Sequence, residues 1–471
     1  LLKGVREVST TKGETLAARL IESLATTSQL AELFSDESVL QAMLDFEVAL
    51  AHAEACLGVV PQGAADVIRK AARAEAFNAA SLARDTLRAG TPGIPLVKAL
   101  TERVHSIDST AAHFVHWGAT SQDVADTALI LLLKRAQAIL AADLTRLEEA
   151  LRQLSEQHQH SVMLGRTLLQ AAPPITFGLK AAGWLAAVRR SRVHLDAAFG
   201  ESLVLQFGGA SGTLAALDEQ GLVVGRAIAE ELGLGYPDAP WHTHRDRLAT
   251  LIAACGVLTG CLGKMARDIS LLMQGEVGEV AEPGGQGRGG SSTMPNKRNP
   301  IACAVTLAAA YRVAGLVAAF LSAMVQEHER GVGGWQAEWP IFADAVQATG
   351  VAAASMAEVA GGLIVDEARM RANVDSTGGA VFAERAMILL GASLGRDVAR
   401  RILEEAIRRS VTQGRKLTEV LAEMPEVTRH LDAAALRSLD VPEEYLGVAD
   451  ALRNRLLSLR EPRDSDHEKE N

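Results

Sequence analysis

The stretch ATSQDVADTALILLLKRAQAILAADLTRLEEALRQLSEQHQHSVML, residues 119–164, contains neither glycine nor proline. Its apolar residues recur at three- and four-residue steps through Val124, Ala128, Leu131, Leu132, Ala136, Leu140, Leu144, Leu147 and Leu151. That spacing lays one apolar stripe along a helix. About 40 such residues would run roughly 60 Å, several times the length of an ordinary globular helix. Similar segments are expected over about 175–200, 212–233, 244–279 and 299–328. Several long helices in series predict an all-α fold, with an elongated central long-helix bundle flanked by two smaller helical domains. Their broad apolar faces predict packing against further copies of the chain.

Outward from this bundle, residues 28–112 read as an N-terminal helical domain. Leu40, Met43, Leu44, Glu47, Val48, Leu50 and Ala51 share one helix face there, with Ser35 or Asp36 as N-cap. Gly90–Pro95 must be a loop. The central domain covers 113–365. A C-terminal helical domain, 366–460, is punctuated by Gly378, Gly379 and Gly395. Residues 1–27 show little periodicity and read as a partly disordered extension, and 461–471 as a polar tail that frays. No solenoid-type repeat is visible.

Composition narrows the function classes. Apolar residues make up 48% of the chain and aromatic residues 4%, which suits helix-on-helix packing better than sheets. A net charge of -10 argues against a nucleic-acid surface, yet local arginines and lysines can still hold an anionic substrate. Cysteines at 56, 255, 261 and 303 match no zinc spacing and are too few for a disulfide framework. No metal or organic cofactor is indicated. No run approaches the roughly 18 consecutive apolar residues of a membrane span, and no signal-peptide core opens the chain, so the expected location is the cytosol.

Polar residues that a bundle core would not want gather at four junctions. Thr91 with Pro92 forms the first, and His116-Trp117-Gly118-Ala119-Thr120-Ser121-Gln122-Asp123 the second. Thr120 and Ser121 either cap the long helix or sit in an anion site made by its free amides. The third junction is Gly165-Arg166-Thr167-Leu168-Leu169-Gln170-Ala171-Ala172-Pro173. The fourth begins with five glycines between Gly284 and Gly290 and continues through Ser291, Ser292, Met294, Pro295, Lys297, Asn299 and Pro300. Each glycine disfavours helix by roughly 1 kcal/mol. The residues alone leave this segment open between a lid and a linker. Further cations stand in Trp241–Arg247, where Arg245 lies, and in Gln326–Arg330.

Together these segments resemble the fumarase/aspartase superfamily. The resemblance rests on Gly290-Ser291-Ser292-x-Met294-Pro295-x-Lys297-x-Asn299-Pro300 and on Gly118-x-Thr120-Ser121-x-Asp123, and it covers about residues 25–455. Within the superfamily the likeness runs to a cycloisomerase branch. It is carried by Phe46–Ala51, Ile94–Leu100, Leu205–Gly212, Pro240–Arg247 and Tyr445-Leu446-Gly447. The resemblance implies a small polycarboxylate substrate and a homotetramer whose active sites each draw on three subunits. It implies Ser291 as the proton-transfer group, with Lys297 and Asn299 holding the carboxylate that gains enediolate charge. Thr91, Thr120, Ser121, Gln170, Arg245, Ser292, Met294 and Arg330 would bind the rest of the substrate, and His116 would orient or protonate it.

Three positions depart from the superfamily pattern. Leu168 stands where many of its lyases have a histidine, Ala171 replaces a polar residue of some relatives, and Asn296 stands where histidine is common. Leucine cannot move a proton. An amine or hydroxide leaving group needs one, whereas a carboxylate, with a reference pKa of about 4, does not. Leu168 therefore favours lactonisation, in which the substrate's own carboxylate is the migrating group, over a C–N lyase. Two further readings are a substrate with a sulfonate in place of one carboxylate, and a silent helical oligomer of the crystallin kind.

Overall fold

A computed structural model describes residues 20–284, 289–290, 294 and 297–458. Ser291, Ser292 and Asn296 lie outside the described residues, as do 1–19 and 459–471, which hold most of the expected extension and all of the tail. The fold is all-α, as expected. The N-terminal helices are α1 (Ser28–Leu33), α2 (Asp36–Cys56), α3 (Gln62–Ala71), α4 (Ala79–Ala89) and α5 (Gly93–His105). Ser35 caps α2 by accepting from the Ser38 amide.

The decisive stretch forms α6 (Ser121–Gln157), 37 residues long. It stops seven residues short of Leu164. Val162–Thr167 is a strand, β1, paired antiparallel with β2 (Gln170–Thr176). The reason lies far along the chain. The His158 and Ser161 carbonyls accept from the amides of Gly178 and Phe177, and both side chains bond Glu367. These bonds turn the chain before periodicity would end it.

Four more long helices follow: α7 (Phe177–Ser202), α9 (Asp246–Leu272), α10 (Ile301–Ala323) and α11 (Gly334–Gly362), with the shorter α8 (Gln220–Leu232) between α7 and α9. All but α7 are shorter than expected or were not anticipated. Residues 212–219 are not helical because Gly212, Leu214 and Asp218 take positive φ. Gly278, also at positive φ, lies beyond the end of α9. The 29-residue α11 was not among the expected segments, and it carries Pro340 within it. A two-residue strand β3 (Val280–Ala281) pairs with β4 (Ile364–Val365). The C-terminal part opens with α12 (Glu367–Asp375), α13 (Ala383–Leu394) and α14 (Arg396–Gln413). Its core packs Leu390, Leu403, Leu417, Val420, Leu421 and Val427.

By internal contact the chain forms two compact units. One comprises residues up to Asp143, His194–Gly260 and Val305–Ala354; the other Leu144–Val193, Cys261–Ala304 and Ser355 onward. All five divisions fall inside long helices.

Among the described residues, two helices, α9 and α10, are long and apolar enough to cross a membrane. The α9 window is 61% buried within the chain and the α10 window only 28%.

Candidate active site

Asp123, in the first turn of α6, organises the site in the first unit. It is fully buried, and its carboxylate takes four hydrogen bonds. The Gly208 amide (3.1 Å) and His242 Nε2 (2.7 Å) bond Oδ1, and the Gly209 (2.9 Å) and Thr120 (3.1 Å) amides bond Oδ2. The bond to Thr120 is the reciprocal half of a capping box, with Asp123 three residues after the cap. Glycine is required at 209: it has φ +68°, and a Cβ there would lie 2.9 Å from the Gly118 carbonyl.

The Thr120 hydroxyl does not complete that capping box and meets a cation instead. Its Oγ1 accepts from Arg330 Nη1 at 2.9 Å, while Arg330 Nη2 donates to the carbonyls of Gly209 (3.3 Å) and Ala210 (2.9 Å). Every partner of this guanidinium is neutral. Arg330 therefore brings a positive charge, without an ion pair among the described residues, to the N-terminus of α6. The Ser121 hydroxyl is half-buried with no hydrogen bond among the described residues. Thr91 is buried beside it, its Oγ1 accepting from the Gly93 amide at 3.2 Å. A Cβ on Gly93 would lie 2.7 Å from the Ser121 Cβ, so α5 and α6 meet at this corner. Helix amides, a cation and a free hydroxyl make a site for an anion.

His116 belongs to the same corner. Its backbone has φ +59°, and its Nδ1 lies 2.7 Å from Glu47 Oε1 on α2. Burial alone would lower its pKa. The Glu47 carboxylate, by charge and hydrogen bond, and Asp123 by charge outweigh that, and the net shift is upward.

Arg245 requires a correction. As an anchor for a substrate carboxylate it would need free donors, but it is 1% exposed and already bound to two carboxylates. Nη1 and Nη2 bond Asp126 at 2.7 and 3.1 Å, Nε and Nη2 bond Glu338 at 2.9 and 2.6 Å, and the guanidinium lies 4.7 Å from the Trp241 ring centre. One cation between two acids leaves one excess negative charge. Burial opposes ionisation at both. At Asp126, Arg245 and bonds from Trp335 and Gln206 outweigh it, and the pKa falls. At Glu338 burial prevails, aided by the Asp126 charge, and the carboxyl is pushed up to about 7. Arg245 is a core group that fixes α9, α6 and α11 behind the site.

The remaining predicted residues that are described lie in the second unit. Gln170 is exposed at the start of β2. The two residues between the strands, Leu168 and Leu169, have φ +51° and +66° and are 96% and 74% exposed. Turns of this geometry favour Asn and Gly, and leucine there costs roughly 1–2 kcal/mol per residue. Arg166 is bound by Glu279 at 2.6 and 3.0 Å. In the fourth junction the Asn299 amide bonds the Gly289 carbonyl at 2.9 Å, and the Lys297 amide that of Met294 at 3.0 Å. The Lys297 side chain is exposed. Glu282 caps α10 by accepting from the Ala302 and Cys303 amides at 3.2 and 2.9 Å.

Residues 22–315 match the lyase family, and residues 379–456 the family of adenylosuccinate lyase C-termini. The chain belongs to this lyase family. A relative from Pseudomonas aeruginosa named 3-carboxy-cis,cis-muconate cycloisomerase is 48% identical, over 94% of this chain and 96% of its own. A nitrosuccinate lyase from Streptomyces davaonensis is 43% identical, over 89% and 90%. Among solved structures, the 3-carboxy-cis,cis-muconate lactonizing enzyme from Pseudomonas putida superposes with a TM-score of 0.88 at 45% identity, covering 94% of this chain and 98% of that one. The lyase-family resemblance read from the motifs is thus borne out.

Buried polar residues around the site to which the motif reading gave no role are Asp126, His242, Glu47 and Glu338. One had a visible signal: Glu47 stands in the apolar face of α2, where an acid needs a partner.

Proposed function

We propose that this chain closes 3-carboxy-cis,cis-muconate to 4-carboxymuconolactone. One substrate carboxylate adds to C4, forming a C–O bond, and a proton is delivered to the carbon next to a second carboxylate. Nothing leaves, so the product is an isomer. The observation that carries this reading is the tip of the β1–β2 hairpin. Leu168 and Leu169 there are apolar and exposed, so the tip can shape a pocket but cannot move a proton. A carboxylate nucleophile needs no base to attack, because it is already ionised near neutral pH.

Ser291 is the proposed proton-transfer group, with its oxyanion dependent on nearby amide donors. Lys297 and Asn299 are assigned to the carboxylate whose α-carbon is protonated, and Ser292 and Met294 to the same segment. Arg330, Thr120 and Ser121, at the N-terminus of α6, take a further carboxylate, with Thr91 behind them. Gln170 is assigned to the remaining carboxylate.

The active enzyme is proposed to be a homotetramer with each site shared by three subunits. Two features support this: the apolar α10 window is only 28% buried within one chain, and the leucines at the hairpin tip are unburied. Exposed apolar surface of this kind supports an interaction site.

The 43% identity to a nitrosuccinate lyase favours a second reading, elimination from a substituted succinate. Mixing the protein with 3-carboxymuconate, 3-sulfomuconate, nitrosuccinate and adenylosuccinate while following ultraviolet absorbance separates these. Loss of diene absorbance with 3-carboxymuconate alone is the expected result. Faster turnover of any other substrate overturns the assignment.

A further inference from the structure

The C-terminal half of α2 carries two acids on its buried side whose oxygens are largely unsatisfied. Glu47 is 1% exposed; its Oε1 meets His116 Nδ1 at 2.7 Å, and its Oε2 has no partner among the described residues. Glu54, seven residues on, is fully buried, and neither of its oxygens has one. Native proteins rarely leave such groups unpaired, because each costs about 1–3 kcal/mol. His116 also holds a strained, left-handed backbone, which is kept only where surrounding structure enforces it. That conformation accompanies a ring whose Nδ1 meets α2. Nε2 has no partner among the described residues, and the side chain is 15% exposed.

We propose that Glu47 is a positioning residue for the reaction: it commits His116 Nδ1, keeps the imidazole charged, and leaves Nε2–H as a cationic donor to a substrate carboxylate. This rests on the reading of the α6 corner as the anion site, and it adds a second charge there beside Arg330. The charged groups that bear on His116 are Glu47 on α2 and Asp123 on α6, and Asp123 is already shared among His242 and three amides. Glu54 does not compete for the ring. Burial and the neighbouring Glu47 charge push it up to about 8, so it is largely neutral at pH 7. The unshared Glu47 charge is thus directed at one imidazole.

The test uses the full-length protein and Glu47→Gln, with Glu47→Asp as the variant that restores the charge. Diethylpyrocarbonate acylates only neutral imidazole, so its pH-rate profile at His116, read by peptide mass spectrometry, reports the ring's charge without any substrate. The expected result is a midpoint lower by one pH unit or more in Glu47→Gln and recovery toward wild type in Glu47→Asp. With 3-carboxymuconate, Glu47→Gln should raise KM about tenfold, with a smaller change in kcat. An unchanged acylation midpoint overturns the proposal whatever the protein turns over. A lowered midpoint with an unchanged KM overturns the substrate-facing half. Absence of any muconate turnover by wild type refutes the function while the acylation profile still decides the pairing.

Discussion

Replacing Glu54 with glutamine keeps the shape of the side chain and removes its ability to ionise. In the folded chain this carboxyl is pushed from its ordinary 4.5 to about 8. The folded state therefore binds a proton more tightly than the unfolded state, and wild-type stability falls as pH rises between these values. The contribution is fully present below about 4.5 and is lost as pH passes through about 8. Each whole pH step inside that window is worth up to about 1.4 kcal/mol. Integrated from pH 5 to pH 7, wild type should lose about 2.5 kcal/mol relative to Glu54→Gln. Glu338, pushed up to about 7, acts in the same direction in both proteins and cancels in the difference. For a chain this long, about 2.5 kcal/mol corresponds to a shift of about 2–3 °C in melting temperature. The assay is scanning fluorimetry of both proteins at pH 5, 6, 7 and 8, at one protein concentration because oligomer stability depends on it. The variant should gain on wild type at each step up to pH 8. A melting difference that stays constant across these pH values would refute a neutral, buried Glu54.

Arg245→Met leaves Asp126 and Glu338 buried without their cation and should destabilise the chain by about 3–5 kcal/mol; an unchanged urea midpoint would contradict its assignment to the core. Arg330→Ala removes a charged donor without opening the core, so kcat/KM should fall about 10- to 100-fold for a loss of about 1.5–3 kcal/mol; steady-state kinetics at unchanged secondary structure by circular dichroism decide this. Ser291→Ala should assemble normally by size-exclusion chromatography yet turn over at least about a hundredfold more slowly, within the usual range for losing an acid–base group. Near-normal turnover would sink its role. Gly165→Ala puts a Cβ 2.4 Å from the Pro173 carbonyl, a backbone clash at the hairpin bulge; a melting temperature equal to wild type would show that the bulge can relax.

The apolar spacing of the long helices is a local property, and in α6 no glycine or proline interrupts it, so all but the Pro340-containing α11 were legible. Their ends were not. α6 stops at Gln157 because Gly178, Phe177 and Glu367 claim the residues that follow, and nothing in residues 158–164 announces that. The motifs located Thr120, Ser121 and Arg330 but could not separate Arg330 from Arg245. Both are arginines in polar runs. What distinguishes them is the company brought by folding: neutral acceptors for one, and for the other two carboxylates 93 and 119 residues away. Only Glu47, an acid inside an apolar stripe, advertised itself.

Asp123 has a consequence for how the chain acquires its shape. The first turn of the longest helix is tied to partners 85, 86 and 119 residues downstream. A loop of that size must close before any of these bonds forms, and the entropy of closure is met before the contacts repay it. On a growing chain, α6 can wind from its middle while its N-terminus stays frayed until residues 208–242 have been made and returned. The anion corner is then among the last parts of its unit to form, so a nascent or misfolded chain would present long helices but no place to hold a substrate.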